Sequence, residues 1–283
     1  MKGLSKSLYT AFCQCPKNLW LKVFKPEEAK VDEALQARFA EGNKVGDLAM
    51  GLFGDYKEAK AKKPDGSLDL AAMASQTRQY MEEGVENICE ASFTLDNHYC
   101  AVDILRRNGD GWDIYEVKSS TYKGDEHDTP KELLVYSRDI AYQKWLLTQC
   151  GVKVNGCYLV RLNKFYTRGK ELDIQQLFHI KNMDELVENE YAKVQANVSL
   201  AQKTLVGDEP NEPVAEHCQK PCRNHRGRQQ DGHHVRSVPT TMGKELFGVV
   251  SSVPRRGEDI RHQGEGLRCL PTRLRQQEGA CHV

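Results

Sequence analysis

Apolar and polar positions change their period twice along this chain. In "LSKSLYTAFCQCPKNLWLKV" the spacing of Leu8, Phe12 and Leu19 is helical, with a serine placed to cap the start and an interruption near Pro16. "DEALQARFAEGNKVGDLAMGLF" predicts a helix pair around Gly42 and Gly46, and "LAAMASQTRQYMEEG" predicts a further helix. The period then drops to two. "CEASFTLDN", "HYCAVDILRR" and "WDIYEVKSS" alternate apolar and polar residues between turn residues, which predicts three consecutive strands. "ELLVYSRDIAYQKWLLTQCG" returns to helical spacing and stops at Gly151, "VNGCYLVRLN" reads as a strand, and "MDELVENEYAKVQANVSLAQKTL" as a long amphipathic helix. There is no internal repeat. Helices, a meander, a helix, a strand and a helix make an α/β or α+β domain.

The strand pattern raises a chemical question. Alternation places Ala101, Asp103 and Leu105 on one face of their strand, and Trp112, Ile114, Glu116 and Lys118 on one face of the next. Glu116 and Lys118 then project together, about 7 Å apart along the strand. If the two strands are neighbours joined through "NGDG", Asp103 lies beside that pair. Buried ions of this kind are costly, and a salt bridge seldom recovers the desolvation. A divalent metal changes the balance: two carboxylates coordinate Mg²⁺ through hard oxygens, while the lysine orients or helps deprotonate a water aimed at a phosphodiester. The plainer reading pairs Asp103 with Arg106 or Lys118 at a half-exposed sheet end and leaves Glu116 in solvent. Glu90, which opens "CEASF", is either a third carboxylate or a solvated strand-end acid. Gln143, in "DIAYQKWLL", lies at the polar margin of a face with Ile140, Leu146 and Leu147 and is either a site residue or a surface glutamine.

The order of these segments resembles the PD-(D/E)xK nuclease superfamily, and within it the RecB-like branch that includes the CRISPR-associated adaptation nucleases. The likeness extends to a bacterial family whose N-terminal half carries such a domain. It is carried by "LSKSLYTAFCQCPKNLWL", by "ICEASFTLDNHYCAVDILRRNGDGWDIYEVKSST", and by "DIAYQKWLL" followed by "VNGCYLVRLN", and it spans about residues 4 to 222. The resemblance implies an α/β, restriction-endonuclease-like mixed sheet flanked by helices, Mg²⁺ or Mn²⁺ as cofactor, and hydrolysis of DNA. It assigns metal binding to Asp103 and Glu116, positioning of the nucleophilic water to Lys118, an additional acid to Glu90, and orientation of the site or contact with DNA to Gln143. Two positions depart from the branch's pattern. Val102 replaces the proline before the aspartate, and Leu147 stands where a Q-x-x-x-Y motif would have tyrosine.

Composition adds a boundary. Overall charge is zero, with 40 basic and 40 acidic residues, so no global field marks a nucleic-acid partner. Residues 1–216 nevertheless hold 28 Lys+Arg against 34 Asp+Glu, whereas residues 217–283 hold 12 against 6 and favour arginine over lysine. That second segment has no Tyr or Trp, holds six of the nine histidines, and follows neither structural period. It reads as an irregular basic tail: a disordered nucleic-acid-binding arm, or the product of a reading frame lost near Pro221. The nuclease domain is therefore placed at 1–216. The N-terminus lacks the apolar core of a signal peptide and no apolar stretch approaches membrane length, which gives a cytoplasmic expectation with no membrane partner.

Ten cysteines without a secretion signal argue for buried thiols or a metal site over a disulfide scaffold. Cys89, Cys100, Cys150 and Cys157 fall in apparent strands or at a helix end and read as packed thiols. The resemblance implies a [4Fe–4S] cluster on one N-terminal and three C-terminal cysteines, for which Cys15 (beside Cys13), Cys218 and Cys222 are the candidates. That set is one short, since the cysteine after Cys222 is Cys269. A zinc site using His217, His225, His233 or His234 matches no familiar spacing. The functional expectations are a Mg²⁺-dependent deoxyribonuclease, an exonuclease on single-stranded ends being one form of it, or a non-catalytic nucleic-acid-binding remnant of such an enzyme. A purely structural interaction protein explains neither the order Asp, Glu-x-Lys nor the cysteine placement.

Overall fold

Residues 3–28 and 33–212 are described by a computed structural model, in which seven strands form one mixed sheet. They are β1 Leu4–Ser5, β2 Lys57–Glu58, β3 Asn87–Leu95, β4 His98–Asn108, β5 Gly111–Tyr122, β6 Val154–Asn163 and β7 Phe178–Asn182. The sheet order is β2-β3-β4-β5-β6-β7, with β1 paired to β4 off that path. The helices are α1 Lys6–Gln14, α2 Pro16–Phe24, α3 Glu33–Ala49, α4 Leu70–Glu82, α5 Pro130–Gln149, α6 Ile174–Leu177 and α7 Asp184–Val206. The α/β class expected from the sequence is the class observed: a mixed sheet flanked by helices.

The meander forms because its two turns carry residues that tolerate a left-handed backbone, Asp96 at φ 50° and Gly109 at φ 59°. β3, β4 and β5 are then antiparallel neighbours, and α5 crosses over to bring β6 parallel to β5. The ladder between β4 and β5 is incomplete. It runs from Asn108↔Gly111 to Ile104↔Tyr115 and stops there. Beyond that point β5 continues against β6 alone, while β4 takes β1 as a parallel partner through Leu4↔His98 and Ser5↔Tyr99. The sheet thus forks between β4 and β5, and the start of α1 enters beside the fork.

Two anchors hold that arrangement. The Tyr142 hydroxyl, buried on α5, donates to the Leu4 carbonyl at 2.6 Å and lies 3.3 Å from His98 Nδ1, and the Tyr9 ring stacks on the Tyr142 ring at 4.7 Å. With its own proton committed to Leu4, that hydroxyl accepts from Nδ1–H, and His98 Nε2 accepts from Gln202 on α7 at 3.0 Å. Burial pushes the His98 imidazole below its ordinary pKa, in keeping with this neutral tautomer. At the other end of α5, Arg161 on β6 grips Asp128 through two bonds of 2.6 and 3.0 Å, just before the Thr129 cap. The two faces of β5 meet different elements. Gln143 of α5 reaches Glu116 on one face, and the Tyr115 ring lies 4.6 Å from Phe53 on the other.

Several expected elements need correction. Gly42 and Gly46 do not divide a helix pair; α3 runs through both. Glycine weakens a helix by about 1 kcal/mol but keeps its N–H, so unlike proline it forces no break. The break at Pro16 is real, with Cys15 extended and the proline in the first turn of α2. β1, β2 and β7 carried no periodic signal because they are two to five residues long. The tail expected at 217–283, with the proposed frame break near Pro221, lies outside the described residues. No helix among the described residues is long and apolar enough to cross a membrane.

Tyr142→Phe removes one hydroxyl and leaves the Leu4 carbonyl and the His98 N–H without their partner. The expected loss is about 1–3 kcal/mol of folding stability, read as a lower urea midpoint with unchanged slope.

Candidate active site

Asp103 and Glu116 flank the fork. They would be the next pair in the β4–β5 ladder after Ile104↔Tyr115, and they face each other where the strands part. Parting frees the Val117 amide, and Asp103 Oδ2 accepts it at 2.7 Å. One carboxylate oxygen thus replaces the missing strand partner, and the second is left for other contacts.

Glu116 is buried, with 1% of its surface exposed, and its charge is matched from three elements. Lys118, two residues along β5, donates to Oε1 at 2.5 Å; Lys6, at the start of α1, reaches both oxygens at 3.2 and 3.1 Å; Gln143 on α5 donates to Oε2 at 2.7 Å. Lys118 also donates to Asp139 Oδ2 at 2.8 Å, and the Lys6 nitrogen lies 3.9 Å from Asp103 Oδ1. Burial alone would raise the Glu116 pKa, but Lys118 and Lys6 outweigh it and hold the group well below the carboxylate range. Burial likewise opposes the charge on Lys118, yet Asp139 and Glu116 keep it protonated well above the ordinary lysine value. In this arrangement Lys118 donates to both Glu116 and Asp139. For Asp103, burial and the Glu116 charge prevail over both lysines and push its pKa up to about 7. Asp139 is raised in the same way.

Glu90 stands across β3 from Asp103 in register, at φ 53°, between the pairs Cys89↔Ile104 and Ala91↔Val102. Burial raises its pKa and Lys6 lowers it, so it feels the cluster's field, although no hydrogen bond joins it to Asp103, Glu116 or Lys6. Gln143 is fully buried rather than at a polar margin, which makes it an orienting partner of Glu116 and removes it from the surface. Glu116 does not face solvent. Nor does Asp103 pair with Arg106, whose guanidinium sits 4.5 Å over the Phe53 ring. Lys6 and Asp139 were not singled out in the sequence. Asp139 had a signal, lying four residues before Gln143 on one helix face; Lys6 had none, since only the pairing of β1 with β4 brings it in.

Of the cysteine candidates, Cys15 is buried between α1 and α2, while Cys218 and Cys222 lie outside the described residues. Cys89, Cys100 and Cys157 are buried free thiols as expected, and Cys150 is partly exposed.

Among the described residues, no three His, Cys, Asp or Glu side chains close a ready-made metal cage. The donor set still suits Mg²⁺ or Mn²⁺, which need one or two carboxylates and complete their shell with water and phosphate oxygens. With all four ionised, Glu90, Asp103, Glu116 and Asp139 outnumber Lys6 and Lys118 by two, the charge a divalent ion would neutralise; without one, burial opposes that state at Glu90, Asp103 and Asp139. Gln143 Oε1 is buried without a hydrogen-bond partner, a free oxygen beside Glu116.

The raised pKa of Asp103 means that its ionised form costs folding free energy once the pH exceeds the unfolded value near 4, a cost that grows to about pH 7 and is then constant. Asp103→Asn, which can still accept the Val117 amide, is expected to raise metal-free stability by on the order of 1–2 kcal/mol at pH 8. The gain should shrink toward pH 5, where wild-type Asp103 is already protonated in the fold. Urea unfolding at the two pH values checks it.

The sequence matches no family model and no curated protein. Among solved structures, it is similar to a protein of Eubacterium rectale assigned as an exonuclease, with 14% identity, a TM-score of 0.44, and 82% of this chain and 91% of that one covered. It is also similar to an alkaline exonuclease from Laribacter hongkongensis, at 13% identity and a TM-score of 0.26, covering 59% of this chain and 93% of that one. At these values the likeness carries no argument about the activity of this chain.

Proposed function

We propose that residues 1–216 form a metal-dependent DNA nuclease, a hydrolase of phosphodiester bonds. The observation that carries this reading is the fork: two carboxylates from parting strands face each other beside a lysine that donates to Glu116 and Asp139. Asp103 and Glu116 would hold Mg²⁺ or Mn²⁺, which when bound supplies a Lewis acid and an activated water. Val117 N–H fixes Asp103, and Gln143 fixes Glu116. Asp139 aims Lys118, whose remaining N–H can hydrogen-bond to the attacking water's oxygen, holding it in line, or to a phosphate oxygen whose charge grows in the transition state. Glu90 serves as an additional acid at the rim. A single-stranded end is the proposed substrate, and exonucleolytic trimming the proposed outcome.

The convergence of Asp103, Glu116 and Lys118 is what supports a catalyst over a non-catalytic remnant. The iron–sulfur reading keeps a narrower support. Trp20 donates to the Gly207 carbonyl at 3.2 Å and Glu209 takes Lys17 and Lys25 at 3.1 Å, so the end of the domain returns to the α2 helix that Cys15 caps. Cys218 and Cys222 follow in the sequence, outside the described residues. A [4Fe–4S] cluster on these cysteines would staple the two ends together.

The test is cleavage of end-labelled single- and double-stranded DNA with Mg²⁺ or Mn²⁺ by the purified chain. Lys118→Ala, folded by circular dichroism, should lose at least about 100-fold in rate, and Glu116→Gln a similar amount. No cleavage by a folded wild-type chain, or full activity in Lys118→Ala, would overturn the assignment.

A further inference from the structure

The Lys6 nitrogen fills the gap between the two carboxylates to which metal binding is assigned. It lies 3.1 and 3.2 Å from the Glu116 oxygens and 3.9 Å from Asp103 Oδ1. A Mg²⁺ ion takes carboxylate oxygens at about 2.1 Å, so an ion on these same oxygens would press a divalent charge against the ammonium. At such separations two like charges repel by several kcal/mol even in an effective dielectric near 20. The gap therefore holds one cation at a time.

The backbone of Lys6 cannot be what yields. Ser5 pairs with Tyr99 and caps α1 by accepting from Leu8, and Leu4 is held by Tyr142. The side chain can yield: four rotatable bonds carry the ammonium, and 22% of the side chain is exposed, so it borders an opening. An ammonium displaced there stays within a side-chain length of the carboxylates, where the substrate phosphate would lie.

We propose that Lys6 is a displaceable counter-cation. Its ammonium occupies the metal seat between Asp103 and Glu116 in the metal-free protein, gives up that seat to the divalent ion, and then donates to a phosphate of the bound nucleic acid. The last step rests on the nuclease reading; the exchange rests on the metal assignment to Asp103 and Glu116 alone.

Three measurements on the full chain test this. The first is amine labelling followed by mass spectrometry: Mg²⁺ should raise the labelling rate of Lys6 while leaving Lys153, which pairs with exposed Asp110 at 2.6 Å, unchanged. The second is Mn²⁺ binding by calorimetry without nucleic acid. Lys6→Met, which keeps the stem and removes the charge, should bind at least about fivefold tighter, whereas Lys153→Met should change little. Labelling of Lys6 that stays constant or falls with Mg²⁺, or weaker Mn²⁺ binding in Lys6→Met, would overturn the exchange. The third is binding of a fluorescent oligonucleotide in Ca²⁺ at several salt concentrations, where Lys6→Met should flatten the slope of log K against log salt by about 0.7–0.9. An unchanged slope would overturn the phosphate contact. If the first two succeed and the wild-type chain cleaves no DNA, the exchange stands and the nuclease reading fails.

Discussion

A carboxylate with 1% of its surface exposed, Glu116, sets the terms for everything around it. Removing such an ion from water costs several kcal/mol, recovered only where geometry and hydrogen bonds are good. Three elements meet that cost: β5 through Lys118, α1 through Lys6 and α5 through Gln143. Each also has to be held in place, so the charge reaches beyond the site. Asp139 holds Lys118, the Tyr142 hydroxyl holds the strand that leads into Lys6, and the Arg161–Asp128 pair fixes the approach to α5. Losing one partner of a buried pair commonly costs 3–5 kcal/mol, because the other charge is then stranded. The cluster is thus a point of structural vulnerability as well as the candidate chemistry.

The fork makes that charge useful. Had β4 and β5 stayed zipped past Ile104, Asp103 and Glu116 would have been a like-charged cross-strand pair, which is destabilising. Parting lets a third element enter and gives Asp103 a backbone amide to accept. What remains is an excess of negative charge that two lysines do not cancel, together with one carboxyl raised to about 7 and another held far below it.

Much of this was legible along the chain because strand alternation is a local property. The period of two placed Glu116 and Lys118 on one face, and "NGDG" joined their strand to the one bearing Asp103. Gln143 was legible as a residue on the right helix, but not as a buried one, since the margin of a helical face does not say what will cover it. α3 was misjudged at Gly42 and Gly46 because composition indicates where a helix is weak, and not whether its neighbours hold it together.

The sequence by itself determined the α/β class, the meander, the helix that follows it and the shared face of Glu116 and Lys118, because those follow from periodicity over a few residues and from turn chemistry. Tertiary structure alone decided that the sheet forks after Ile104, that a two-residue strand from the N-terminus fills one arm of the fork, and that Lys6 meets Glu116 across 110 residues of chain. Those contacts are non-local, and a two-residue strand has no period to read. Its existence depends on the edge that β4 exposes only once the rest of the sheet has formed.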